Sequence, residues 1–440
     1  GVVSYRIING VIEITDCNAD VISVDIPSQI NGYPVTTIGY QAFYECRGLT
    51  SVTIPSSVTV IGERAFSYCY GLTSVTIPNS VTVIGNGAFY SCRSLTSVTI
   101  PSSVTQIGAS AFSGCSGLTG VTIPSSVTSI GENAFFDCSG LMSVTIPSSV
   151  VKMESRVFER CPKLINAGPI GGNYNIEFGW TAAIPDSAFS GCDTLTSIII
   201  PDDITSIGSS AFHGCHSLTD IVLPDSLTTI GSHVFAYCYS LSKIVIPASV
   251  TSVGGAIFSS CTKLITAGPI GGDYNIQFGW SQSIPDSALS NASSLTSVAI
   301  PNSVTAIGRL AFAECSSLLS LTIPSNVVTI GQGAFFGCSS LSHVSIPNSV
   351  TSIGSSAFNN CSNLMSVVIP GSVKSAGSHL FVGSPNLVTA GPVGGDYNIQ
   401  FGWTDSFNVG DIMHPDLQQL TIPDGVTALY ESSRVGSKSH

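Results

Sequence analysis

From Leu49 onward the apolar positions recur in one fixed order: Leu-x-x-Val-x-Ile, then Pro, then Val-x-x-Ile-Gly and Ala-Phe, closing on Cys. The cleanest copy runs for 23 residues from Leu95 to Gly117, and Leu118 starts the next. Within it Val98 and Ile100 alternate with Ser97 and Thr99, the period of two expected of a strand buried on one face. Pro101 has no N–H to donate and so ends the strand. A second apolar set, Val104, Ile107, Ala111 and Phe112, lies past that turn, where Gly108 permits a kink before a short strand or helical turn. Each copy is predicted to be a flattened coil with two inward-facing edges.

A Pro that closes the first strand marks seventeen such coils between Pro27 and Pro423. A single coil buries too few side chains to offset the ordering of its backbone, which costs about 1–2 kcal/mol per residue. Stacked coils cover one another's flat faces and pair their strands into parallel sheets at about 4.8 Å per coil. The organisation expected is an N-terminal cap over residues 1–34 and a single solenoid over 35–430. Coils of 31 residues interrupt it near 161–191, 261–291 and 384–414, and a polar tail occupies 431–440.

The unit Leu-Thr-Ser-Val-Thr-Ile-Pro-Ser-Ser-Val-Thr-x-Ile-Gly-x-x-Ala-Phe-x-x-Cys, repeated from Leu49 to about Ile369, closely resembles the BspA-like leucine-rich-repeat family. The segment from Tyr5 to Pro34, with Ile14-Thr-Asp16 and Ile30-Asn-Gly-Tyr-Pro34, also looks like that family's N-terminal cap. The resemblance implies a leucine-rich-repeat solenoid, mainly β, with a long parallel sheet on one face and short strands or helical turns on the other. It also implies secretion or cell-surface display and, for some members, adhesion to host matrix proteins or other cells. The expected function is therefore non-catalytic recognition of a protein partner, with a structural spacer and a glycan-binding module as rivals.

Charge and composition narrow this further. Only 9% of residues are charged against 43% hydrophobic, and the net charge is −12, with no basic run to follow a phosphate backbone. Nucleic acid is not an expected partner. Pro, Gly or Ser punctuates every apolar run, so no segment is long enough to insert in a membrane. Neither a catalytic constellation nor a cofactor motif emerges: Gly331-Gln-Gly-Ala-Phe-Phe-Gly337 has the wrong spacing for a phosphate loop, and the repeat accounts for its glycines. His213, His216 and His233 fall in adjacent coils without a carboxylate at ligand spacing.

The fourteen cysteines follow the coils. Cys46, Cys69, Cys92, Cys115, Cys138 and Cys161 form one run at 23-residue spacing, Cys192, Cys215, Cys238 and Cys261 a second, and Cys315, Cys338 and Cys361 a third. Zinc sites need ligands two to four residues apart, and no two cysteines are that close. Stacked rungs would aim their Cβ vectors in parallel, a poor geometry for disulfides, and Ala292 and Ser384 occupy equivalent rungs. Buried free thiols are the expected state. Cys17, in the cap, lies outside the ladder.

The three long coils repeat almost the same words: Gly168-Pro-Ile-Gly-Gly-Asn-Tyr-Asn-Ile-Glu-Phe-Gly-Trp180, its counterpart ending at Trp280, and a third ending at Trp403. All three Trp residues sit here. Two readings compete. In one, Tyr174, Phe178, Trp180, Tyr274, Phe278, Trp280, Tyr397, Phe401 and Trp403 fold back as structural hairpins over the solenoid edge. In the other, they emerge as aromatic contact points for a protein or glycan. Asp220, Lys243 and His343 are further candidate contacts, because the outward strand positions of early coils carry only Ser and Thr, as at Ser97 and Thr99.

Overall fold

The computed structural model describes residues 2–279, 282–408 and 412–430, and its contacts divide the chain into two compact units, Gly1–Ser226 and Leu227–His440. Trp280 and the polar tail at 431–440 lie outside the described residues.

The first unit opens on an antiparallel hairpin, Val3–Ile8 against Val11–Cys17. Its turn, Asn9-Gly10, has both residues at positive φ, the geometry that suits the twist of a two-residue hairpin. Val11–Cys17 then pairs in parallel with Tyr33–Ile38, so the hairpin covers the edge of the sheet that follows. That sheet continues through the short second strands of successive coils, Val60–Ile61, Val83–Ile84, Gln106–Ile107, Ser129–Ile130 and Lys152–Met153. The first strands pair separately and in register, Ser23 with Ser51, Ser51 with Ser74, and Ser74 with Ser97. The predicted alternation holds, with Val98 and Ile100 buried and Ser97 and Thr99 exposed. Among the described residues the regular elements are strands, and the stretch from Gly108 to Cys115 is a run of turns rather than a helix.

Between the two edges runs a column of phenylalanines. Phe43, Phe66, Phe89, Phe112 and Phe135 stack nearly parallel, with centroids 4.9, 5.3, 5.4 and 5.4 Å apart. The 23-residue period alone sets these distances, because it brings the same ring back once per coil. Beside the column lie the ladder cysteines, none of them in a disulfide. Within a run of ordinary coils the thiol points back one coil: Cys92 Sγ donates to the carbonyl of Phe66 at 3.2 Å, and Cys115 Sγ to that of Phe89 at 3.2 Å.

The glycine after each second strand acts differently from the expected kink. Gly108 is absent from the left-handed region, and a Cβ there would lie 2.6 Å from the Asn86 nitrogen. Glycine is required because the backbones of neighbouring coils touch, so a side chain has no room. The left-handed residues sit elsewhere, at two places per coil such as Ser110 and Gly114.

The second unit uses the same coil. Its second strands pair from Ser283–Ile284 through Ala306–Ile307, Thr329–Ile330 and Ser352–Ile353 to Ser375–Ala376. Phe312, Phe335 and Phe358 stack at 5.5 and 5.4 Å. Ala292 and Ser384 take the cysteine place and are fully buried.

Candidate interaction surfaces

Each long coil adds a strand instead of projecting a loop. Asn166–Pro169 is followed by a six-residue turn and then by Ile176–Phe178, which runs parallel to it with Ala167 opposite Ile176 and Pro169 opposite Phe178. On its other side Ile176–Phe178 pairs with Ser143–Ile146 of the preceding coil. The insert is thus threaded between two coils, within the sheet. Lys243–Ile246, Ile276–Phe278 and Thr266–Pro269 repeat the arrangement, as do Ser366–Ile369, Ile399–Phe401 and Thr389–Pro392. The expectation that these segments pack back on the solenoid holds for Phe178, Trp180, Phe278, Phe401 and Trp403, but the strands are parallel and form no hairpin, and what reaches solvent is the turn at 170–173.

The second-strand edge gains nothing at the same level. The sheet that ends at Lys152–Met153 is separate from the one that begins at Ala183–Ile184, and the sheet ending at Ser375–Ala376 is separate from Ser406–Asn408. An extra strand on one edge and none on the other leaves a gap, and the insert aromatics fill it. Phe178 and Trp180 stack at 5.3 Å, each meets Phe189 edge-on at 5.8 and 6.0 Å, and Trp180 Nε1 donates to the Val150 carbonyl at 2.8 Å. Phe401 and Trp403 stack at 5.8 Å, and Trp403 Nε1 donates to the Val373 carbonyl at 2.9 Å. Phe178, Phe278, Phe401, Trp180 and Trp403 are all buried, the last two at 4% and 8% exposure. They are core residues and do not meet solvent as contact points, because the gap they plug would otherwise be a void.

The tyrosines differ. Tyr174, Tyr274 and Tyr397 are half-buried. A Cβ on Gly168 or Gly172 would fall 2.2 Å from the Tyr174 ring, so the ring lies directly on a glycine bed, and Gly268 and Gly391 place Tyr274 and Tyr397 in the same way. The turn beneath is fastened by one side chain: Glu177 accepts from the Gly171 and Asn173 nitrogens at 3.3 and 2.9 Å, and Gln277 from the Gly271 nitrogen at 2.9 Å. Gly171 needs its glycine, since its φ is +90°.

Asn175 joins the insert to both neighbours. Its Nδ2 donates to the Met142 carbonyl at 3.0 Å and its Oδ1 accepts from the Ile165 nitrogen at 3.2 Å. In the first ordinary coils this row is a ladder of threonines, Thr73 Oγ1 donating to the Thr50 carbonyl and Thr96 Oγ1 to that of Thr73, while a later ordinary coil carries Leu319, 60% exposed, on the same row. With Asn175 as the rung, the flanking row carries apolar side chains that stay in solvent: Met142 and Ile165 are 48% and 46% exposed, and Ile265 and Met365 at the other long coils are both 49% exposed. Sequence reading missed this row, although Met142, Ile165, Ile265 and Met365 depart visibly from the threonine consensus.

Asp220, Lys243 and His343 are exposed at the starts of their strands, as expected. His343 Nδ1 lies 2.5 Å from Ser366 Oγ. Lys243 joins Thr266, Asp273, Tyr274, Asn275 and Gln277 around a polar cleft of about 380 Å³. Among the described residues no group of three metal-ligating side chains comes together.

Stacked coils of this pattern, closed by parallel strands, define a leucine-rich-repeat protein. A family model for the BspA type leucine rich repeat region matches six copies over residues 36–165, 182–268 and 282–391, and the chain belongs to that family. The first two inserts fall in the unmatched intervals and the third follows the last match. Among solved structures, a leucine-rich repeat protein from Bacteroides ovatus is 28% identical, covering 92% of this chain and 98% of its own, with a TM-score of 0.61. A leucine-rich repeat protein from Eubacterium ventriosum is 23% identical, covering 89% and 95%, with a TM-score of 0.51. A leucine rich cell surface protein from Faecalibacterium prausnitzii is 26% identical, covering 91% and 93%, with a TM-score of 0.47. No curated protein matches the chain. Among the described residues no helix is long and apolar enough to cross a membrane.

Proposed function

We propose that the chain is a non-catalytic recognition protein, secreted or displayed at a cell surface, that holds a protein partner against the first-strand face beside its long coils. The observation that carries this reading is the apolar row. Met142, Ile165, Ile265 and Met365, joined by Leu319 of an ordinary coil, stand in solvent on a row that the first coils fill with threonine, and the strand pairing beneath them makes no demand for a hydrophobic side chain. Half-buried Tyr174, Tyr274 and Tyr397 and exposed Asp220, Lys243 and His343 add amphipathic and charged groups to strands of the same type. Membership of a family whose resemblance implies surface display and adhesion supports the same reading.

The test is a binding screen of the whole chain against immobilised matrix proteins and against a glycan array, repeated with Met142→Ser plus Ile165→Ser and with Ile265→Ser plus Met365→Ser. These exposed substitutions leave the core intact. Binding to at least one protein, weakened tenfold or more by either pair, is the expected result. Protein binding unchanged in both pairs removes the apolar row, hits confined to glycans replace the partner class, and no binding at all leaves the spacer reading.

A further inference from the structure

A second surface lies in the first unit, away from the long coils, where four tyrosines and two arginines from three consecutive coils come together. Tyr68 is the centre: Tyr44, Tyr70 and Tyr90 meet its ring edge-on, with centroids 5.5, 6.0 and 5.4 Å away. Arg47, Tyr70 and Arg93 occupy one coil position at successive 23-residue steps, and both guanidinium carbons sit over the Tyr70 ring, at 5.3 and 4.6 Å. The backbone fixes the group, because the Tyr68 nitrogen donates to the Tyr90 carbonyl at 2.8 Å and the Tyr70 nitrogen to the Tyr68 carbonyl at 2.9 Å.

Packing does not require these residues. The same positions elsewhere hold Ser67 and Ser113 in place of Tyr44 and Tyr90, Gly114 in place of Tyr68, and Ser116 in place of Tyr70, in coils with the same hydrogen bonds. A left-handed backbone at Tyr68, φ 62°, is moreover a costly place for a large ring, and Gly114 relieves it two coils on. Among the described residues none of the four tyrosine hydroxyls has a protein hydrogen-bond partner, and Arg93 is in no salt bridge. Rigid amphipathic rings with free hydroxyls, carrying guanidinium forks already oriented by stacking, are the composition of protein-binding hot spots.

Charge selects the partner. The chain as a whole carries −12, yet the patch and the coils after it, residues 44–131, carry Arg47, Arg64 and Arg93 against Glu45 and Glu63, and residues 64–131 contain no Asp or Glu. We propose that this tyrosine–arginine patch docks an acidic segment of a partner protein, with its carboxylates on Arg47 and Arg93 and its backbone against the tyrosines. Each guanidinium offers paired N–H donors matched to a carboxylate; Arg93 has no ion-pair partner among the described residues, and the exposed Glu45, 3.9 Å from Arg47 Nη2, is what an incoming carboxylate would displace.

The experiment titrates the full chain with a fluorescent Glu-rich decapeptide, with the same peptide carrying Gln for Glu, and with a sulfated polysaccharide. The acidic peptide should bind at least tenfold tighter than its Gln counterpart and weaken as salt rises. Arg93→Gln should reduce that affinity about fivefold, and Arg47→Gln with Arg93→Gln should abolish the preference for Glu. Tyr70→Ser, which places at this half-buried position the residue found two coils on at Ser116, should weaken it while leaving the far-ultraviolet spectrum unchanged. Equal binding of the Glu and Gln peptides, unaltered binding by the arginine variants, or tighter binding of the polysaccharide than of the peptide overturns the proposal. The apolar-row pairs Met142→Ser plus Ile165→Ser should not affect this titration, so the two surfaces stand or fall separately.

Discussion

Ordinary and long coils solve the same packing problem with different parts. In an ordinary coil both edges advance by one strand, and Phe and Cys rungs fill the space between, as at Phe89 and Cys92. In a long coil one edge advances by two strands and the other by one, so the column of phenylalanines opens between Phe158 and Phe189 and is closed by Phe178 and Trp180. The aromatic residues that stand out in the sequence are thus the filling. Solvent-facing Met142 and Ile165 replace threonine on the row beside the first long coil. A rare residue type in a repeat protein can mark where the stack is repaired, while the surface that differs lies beside it.

The largest expected effect concerns the thiols of ordinary coils. Burial raises the thiol pKa along the ladder, to about 12 at Cys161, Cys261, Cys315 and Cys361 and well above the ordinary value at Cys92, Cys115, Cys138 and Cys338. An unfolded thiol ionises near 9, so between that pH and the folded pKa the folded state holds protons that the unfolded state has released. The stabilisation is fully present below about pH 9 and is lost as pH rises. The loss adds over the rungs, so the six from Cys69 to Cys192 together make the fall of stability with pH steep. In reducing buffer the first unit should unfold abruptly just above pH 9 by far-ultraviolet circular dichroism. Replacing Cys92 and Cys115 by Ala should move that midpoint upward. A fold that persists beyond pH 11 would mean that the rungs are not desolvated.

A smaller effect separates the two kinds of filling. Phe112→Ala in an ordinary coil and Trp180→Ala in a long one should each cost about 3–5 kcal/mol in urea denaturation. Trp180→Ala and Trp180→Phe both leave the Val150 carbonyl without its donor, so Trp180→Phe should recover most of the cavity term and still cost about 1–3 kcal/mol. Amide exchange at Ile146 and Phe178 should quicken in the tryptophan variants and not in Phe112→Ala. A loss of less than about 1 kcal/mol for Trp180→Ala would place the ring outside the core and restore it as a candidate contact.

The coil itself was legible because its signals are local: alternation at Val98 and Ile100, the stop at Pro101 and the 23-residue return of Phe and Cys. The long coils were legible as places and misread as geometry. Parallel pairing of Ala167 with Ile176 across a six-residue turn leaves no periodic trace, since strand direction depends on where the turn leads the chain. Gly108 was read as a kink when contact with Asn86 from the coil before is the cause, a fact that only stacking supplies. The tyrosine–arginine patch passed unnoticed because its members are separated by 23 residues and look ordinary one at a time.

The smallest effect asks whether the turn edge is shared by both coil types. Ser110 in an ordinary coil and Ser187 in a long one are both left-handed, at φ 55° and 59°. Each nitrogen donates to the next coil, Ser110 to the Glu132 carbonyl at 2.8 Å and Ser187 to that of Ser209 at 2.9 Å. A non-glycine residue there loses about 1–2 kcal/mol to the clash of Cβ with the following carbonyl, while glycine costs about 0.5–1 kcal/mol in the entropy of the unfolded chain. Ser110→Gly and Ser187→Gly should therefore each stabilise the protein, by roughly 0.5 kcal/mol, and by the same amount. Equal shifts in the urea midpoint would show that the extra strand leaves the turn edge untouched. A gain at Ser110 with a loss at Ser187 would show that the long coil strains its far edge as well, and that the tryptophan wedge is felt on the opposite side of the coil.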